Sequence, residues 1–243
     1  MNMLPAAPWF NPTPRLQTVE LPDGGVCVVI DDVLHEPEVW AEWAANEPFT
    51  APRSYPYPGL VLEAPSALKH AVLDCFAQRA RALLGARRTL DASVRFSLIS
   101  TPPEELTPVQ WLCHRDRVST DAQVLFAASV LYLFRNPALG GTSFYRPLLA
   151  GRELDRLLID SQTLDAQTFS QRRPQVRPGY MDGSNAFFER VASIPAAWNR
   201  MIIYDGGLFH SADVESPAQL SRDPRLGRLT LNAFFTCRRG APR

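Results

Sequence analysis

From Ser93 onward the chain breaks into short apolar runs parted by turn residues, and that texture narrows the fold more than any other feature. The runs are SVRFSLIS, VQWLCHRD, FAASVLYLF, GGTSFYRP, NRMIIYD, GLFHSAD and GRLTLNAFFTCR. Strand-length runs in such succession predict a mainly β domain, a sandwich or jelly roll. An insertion at 148–198 separates the fourth run from the fifth, with helical pieces expected around RELDRLLID and NAFFERVASI. Residues 93–238 therefore read as the core of one domain spanning 1–243.

Residues 1–92 read as an N-terminal strand with supporting helices. After an irregular start, GGVCVVIDDVL (24–34) is a β-branched run bounded by glycines, as expected of a buried strand. EPEVWAEWAANE predicts a helix opened by Pro37, with Val39, Trp40, Trp43 and Ala44 on one face. APSALKHAVLDCFAQRARALLGARR carries Leu68, Val72, Phe76, Ala80 and Leu83 at helical spacing, with Ser66 as N-cap and Gly85 as stop. Between these helices FTAPRSYPYPGL (49–60), rich in proline and aromatics, reads as a long loop or lid.

Composition bounds the partners. The 25 basic and 25 acidic side chains balance, so nothing global favours a nucleic-acid backbone or an anionic membrane. Locally QRRPQVR (171–177) and CRRGAPR (237–243) are basic, the texture of solvated surface more than of an acidic-substrate site. Cys27, Cys75, Cys113 and Cys237 are scattered without a CxxC pair, and no signal peptide or membrane-length apolar run precedes or follows them. Reduced thiols in a cytoplasmic protein are the expectation, with a small-molecule partner favoured and a protein or peptide substrate open.

Within this frame WLCHRD is unusual. In a strand His114 and Asp116 project to one face, while Trp111, Cys113 and Arg115 project to the other. Alone the pair reads as a structural hydrogen bond. Downstream, MIIYDGGLFHSAD brings a strand and a glycine turn to His210, and 18 residues later Arg228 shares a strand face with Thr230. Two imidazoles and one carboxylate can occupy one face of a non-haem iron(II). His35, just before a helix, and His70, off the apolar stripe of its helix, read as structural.

Taken together, the HRD of residues 114–116, His210 and the RLT of residues 228–230 resemble the iron(II)- and 2-oxoglutarate-dependent dioxygenases, in particular the prolyl-hydroxylase-like members. The resemblance runs from about Ser93 to Arg238, and Gly140 and Gly141 stand where such members open a strand with a glycine pair. It implies a double-stranded β-helix (jelly roll, cupin-like) with helices outside, His114, Asp116 and His210 as metal ligands, and iron(II), 2-oxoglutarate and O2 as cofactors. It also implies that Arg228 binds the distal carboxylate of 2-oxoglutarate through its planar fork, helped by Thr230 and Tyr132. Arg222 and Arg225 also follow His210, though only Arg228 lies in a clear strand. Tyr145 and Arg146, after the glycine pair, are expected near the substrate. The implied reaction is hydroxylation of a C–H bond in a small or amino-acid-like molecule, with release of succinate and CO2. Two other readings stay open: a non-catalytic jelly roll that binds a small acid or a protein, and a cupin-type metalloenzyme with no need of Arg228.

Overall fold

Alternating apolar and polar side chains set the strands of two antiparallel sheets that face each other. A computed structural model describes residues 3–21, 24–52 and 55–240; residues 53–54 of the expected lid and 241–243 of the basic tail lie outside these. In chain order the elements are β1 (Arg15–Glu20), β2 (Val26–Asp31), α1 (Pro37–Ala45), β3 (Gly59–Glu63), α2 (Ser66–Arg79), β4 (Ala86–Ile99), β5 (Val124–Tyr132), β6 (Thr142–Pro147), α3 (Arg152–Thr163), α4 (Ala166–Arg172), β7 (Phe188–Ile194), β8 (Met201–Asp205), β9 (Phe209–Ala212) and β10 (Arg228–Arg239). The larger sheet runs β1-β2-β8-β5-β10-β4-β3 and the smaller β7-β6-β9. The expected jelly roll with helices on its outside is what forms.

β10 shows how sequence period becomes layer. Leu229, Leu231, Ala233 and Phe235 are buried on one face with Trp40 of α1 and Leu68, Val72 and Phe76 of α2. Phe76 lies flat on Phe235 with ring centroids 3.9 Å apart. Alternate residues Arg228, Thr230, Asn232 and Phe234 point to the interior between the sheets, as the two-residue pleat requires. There Tyr132, Phe144 and Tyr204 form a second apolar cluster. A third, under α3 and α4 on the far face of the smaller sheet, gathers Trp111, Tyr145, Leu157, Phe169 and Phe209. Among the described residues no helix is long and apolar enough to cross a membrane.

Several expectations need correction. VQWLCHRD is not a strand: Pro108–Trp111 form a 3-10 turn closed by a capping box between Thr107 and Gln110. Proline at the start of the turn and reciprocal side-chain capping favour that turn over a sheet ladder. Beyond it only an isolated bridge, His114 to His210, joins this segment to the smaller sheet. NAFFERVASI is likewise not helical. Its Phe188–Ile194 stretch is β7, paired along β6, so the insertion supplies a strand of the smaller sheet as well as α3 and α4. The irregular start contains β1, which extends the larger sheet by pairing with β2. The helix from Ser66 ends at Arg79, and Leu83 is exposed. Residues 59–60 of the expected loop belong to β3.

The glycine pair has a steric reason. Gly140 has φ +72°, and a Cβ there would lie 1.3 Å from the Asp213 carbonyl oxygen. At Gly141 the same atom would lie 2.0 Å from the Ile194 oxygen. The chain must pass this close for β6 to enter between β7 and β9, and only glycine permits it.

Candidate metal centre

His114 and Asp116 keep their shared face although no regular strand carries them, because backbone bonds to β9 and its entry turn hold the segment extended. His114 N donates to the His210 oxygen and His210 N to the His114 oxygen, both at 2.9 Å, while Asp116 N donates to the Gly206 oxygen at 2.9 Å. The opposite face points away as expected: Trp111 and Cys113 are buried in the third cluster, and the Arg115 guanidinium sits 4.6 Å from the Phe209 ring centre. The turn also passes close to the carboxylate, since a Cβ on Gly206 would lie 3.2 Å from Asp116 Oδ2.

The result is three converging donors. His114 Nε2 lies 3.6 Å from Asp116 Oδ1, and His210 Nε2 lies 3.5 Å from Asp116 Oδ2. One ligand atom from each of the three residues falls within 4.8 Å of the others. Ligand bonds of about 2.1 Å at right angles would put neighbouring donors about 3 Å apart, so a small inward movement completes a facial triad. His210 Nδ1 meets the Leu208 oxygen at 2.9 Å, which fixes the ring and leaves Nε2 for the metal. Asp116 Oδ2 is buried without a hydrogen-bond partner. A cation at the centre would satisfy it, and the donor set fits iron(II).

Electrostatics agree with this role. Burial drives the His210 pKa down to about 4, so the ring is neutral at neutral pH, as a ligand must be. Burial alone would raise the Asp116 carboxyl, yet the two imidazoles and the Arg95 guanidinium hold it below the usual carboxylate range. The centre therefore offers a carboxylate beside a neutral His210 imidazole.

Arg228 lies buried on the inner face of β10, whereas Arg222 and Arg225 are exposed, the latter tied to Glu42 at 2.6 Å. Its fork is partly committed: Nε donates to the Leu139 oxygen at 2.9 Å and Nη2 to the Gly141 oxygen at 2.7 Å. Among the described residues Nη1 makes no hydrogen bond, so the end-on edge of the guanidinium is the side left for a ligand. Thr230 Oγ1 donates to the Ser97 oxygen at 3.3 Å, and the Tyr132 hydroxyl bonds Thr142 Oγ1 at 2.8 Å. Tyr145 does not join the site. It pairs with Phe209 across the sheet, one residue out of step with the Phe144–His210 pair, and so packs in the third cluster. Arg146 is half-exposed and bound to Glu189 at 2.7 Å.

Other residues around the centre escaped the sequence reading. Arg95 of β4 lies directly opposite Asn232 of β10, with its guanidinium 4.4 Å from the Tyr55 ring centre and 4.6 Å from that of Phe234. The Tyr57 hydroxyl is held up to about 12 by burial, against the opposing charges of Arg228 and Arg95. Tyr55 and Tyr57 thus lie over the inner face. One signal was readable: an arginine between Ser93 and Ser97 at period two marks a polar stripe in an apolar strand.

Fold and site together define a jelly-roll protein with a two-histidine, one-carboxylate centre between its sheets. The chain belongs to a family of unknown function, DUF6445, whose model matches residues 12–235. No curated protein matches the sequence. Among solved structures it is similar to a Pseudomonas putida prolyl-4-hydroxylase at 16% identity and TM-score 0.39, over 84% of this chain and 88% of that one. HygX from Streptomyces hygroscopicus, solved with nickel, 2-oxoglutarate and hygromycin B, is similar at 13% and 0.47, over 87% and 82%. The non-heme alpha ketoglutarate dependent epimerase SnoN from nogalamycin biosynthesis is similar at 13% and 0.45, over 88% and 81%.

Proposed function

We propose that this chain is an iron(II)- and 2-oxoglutarate-dependent dioxygenase that hydroxylates a C–H bond of a small-molecule or amino-acid-like substrate, releasing succinate and CO2. One observation carries the reading: His114, Asp116 and His210 converge within 4.8 Å around a buried carboxylate oxygen that has no hydrogen-bond partner among the described residues. Iron(II), 2-oxoglutarate and O2 would together supply the oxidising power. The chain's part is positioning. The Leu208 carbonyl fixes the His210 ring, the His114–His210 bridge fixes the spacing of the two imidazoles, and the end-on edge of Arg228 would receive the distal carboxylate of 2-oxoglutarate. Tyr57, among Arg228 and Arg95, would close the pocket against water. The four free, buried cysteines suit the cytoplasm, and 1–243 is read as one domain.

Anaerobic titration of the iron(II)-loaded protein with 2-oxoglutarate tests this. A weak visible charge-transfer band should appear, vanish in His210→Ala and require far more 2-oxoglutarate in Arg228→Ala. Absence of the band in the wild type would refute the cofactor assignment and leave His114–Asp116 a structural pair.

A further inference from the structure

Charge on the inner face is unevenly answered. Arg228 is held by the carbonyls of residues 139–141, but the Arg95 guanidinium makes no hydrogen bond or ion pair among the described residues, and its Nε is buried without a partner. Glu63, opposite it on the exposed edge strand β3, forms no ion pair with it. Two aromatic faces, Tyr55 and Phe234, hold the guanidinium in place. Directly across the ladder the side chain of Asn232 also makes no hydrogen bond among the described residues, and its Oδ1 is buried without a partner. An arginine and an asparagine left unanswered side by side cost free energy, and such cost persists where a ligand relieves it. The pair lies near the metal centre: the guanidinium packs on Phe234, which faces Ala128 and, beyond it, Tyr204 across the larger sheet, and the Tyr204 ring centre is 4.8 Å from that of His210.

Formal charge says what the ligand is. Leaving aside Glu63, which is exposed on the edge strand, a divalent metal with Asp116, Arg228 and Arg95 gives the inner face three positive charges. The 2-oxoglutarate dianion removes two, and the one left over resides at Arg95. We infer that Arg95 and Asn232 form the substrate-recognition pair of this site, Arg95 taking a carboxylate of the substrate and Asn232 a hydrogen-bonding group next to that carboxylate. This deepens the proposed dioxygenase reading and rests on it. The substrate class is a small organic acid with an N–H or O–H group beside its carboxylate. Tyr55 and Phe234 position the guanidinium so that its terminal nitrogens face the incoming anion.

The test uses three matched probes: N-acetylglycine carries both groups, acetate the carboxylate alone, and N-acetylglycinamide the amide alone. Each is titrated into the zinc-loaded protein saturated with N-oxalylglycine, an inert mimic of 2-oxoglutarate, while nitrogen-15 NMR follows the Arg95 Nε–H signal, assigned by its loss in Arg95→Lys. N-acetylglycine should shift the signal saturably and bind about tenfold or more tighter than N-acetylglycinamide, with acetate between them. Asn232→Ala should bring N-acetylglycine down to the level of acetate, and Arg95→Gln should abolish its binding while N-oxalylglycine affinity stays within about twofold. Carboxylates that leave the signal unmoved, or an amide that moves it equally, would overturn the inference. So would loss of N-oxalylglycine binding in Arg95→Gln, which would assign Arg95 to the cosubstrate. If zinc and N-oxalylglycine themselves fail to bind, the dioxygenase reading falls, and the same titration on the bare protein still decides whether Arg95 takes a carboxylate.

Discussion

Asp116 is the residue on which the centre turns, since both imidazoles face its two oxygens. Asp116→Ala should leave the far-ultraviolet circular dichroism unchanged and weaken iron(II) binding by at least about 100-fold, because the loss of even outer partners of a metal site costs 10–100-fold; equilibrium dialysis with metal analysis measures it. His210 gives the metal-free protein a pH signature. Its folded pKa of about 4 lies below the ordinary 6.5, so below pH 6.5 the unfolded chain takes up a proton that the folded one refuses. Stability should hold above that pH and fall by about 3 kcal/mol as pH drops to about 4, with the lowered Asp116 pKa acting in the same direction. Urea midpoints taken in the presence of a chelator between pH 7.5 and 4.5 read the slope, and His210→Gln should flatten it. At this scale the donor types and their common side were legible in the sequence, because an extended backbone alternates sides with or without a sheet. Tyr57 and Asn232 were not, and Arg95 showed only as part of a polar stripe in an apolar strand, since their meaning depends on which strands become neighbours.

Elements differ in how openly they announce themselves. α1 and α2 were readable because their apolar spacing meets a sheet face that buries Trp40, Leu68, Val72 and Phe76. β7 was misread because FERVASI satisfies a weak helical pattern, and only pairing with β6 decides the matter. The 3-10 turn before the metal ligands was hidden in a capping box whose partners, Thr107 and Gln110, flank apolar residues. The entry to β6 depends on backbone clearance alone. Gly140→Ala must place a Cβ against the Asp213 oxygen at positive φ, so it should cost about 3 kcal/mol or more, seen as a lower urea midpoint with the slope unchanged. Because Asp213 follows β9, the same change should also loosen metal binding.

For the molecule as a whole, ligands that bind only the folded state report on its unfolding. Manganese(II) with 2-oxoglutarate, each held at 100 times its dissociation constant, should each add about 2.7 kcal/mol and together raise the melting temperature by about 10–20 °C, in a thermal scan that Arg228→Ala blunts for 2-oxoglutarate alone. The jelly-roll class was legible from the succession of strand-length runs, but the order of those strands was not, since pairing partners lie far apart in sequence. That order carries a consequence for synthesis. β10 lies between β5 and β4, yet a ribosome makes it after both. From Tyr132, the end of β5, to Arg239, the end of β10, is 107 residues, or roughly 5–21 s of translation. Throughout that interval the nascent sheet is parted down its middle with two bare edges, each able to pair with a neighbouring chain. The soluble yield of this protein is therefore set by what shields those two edges during translation, before the finished fold has any stability to contribute.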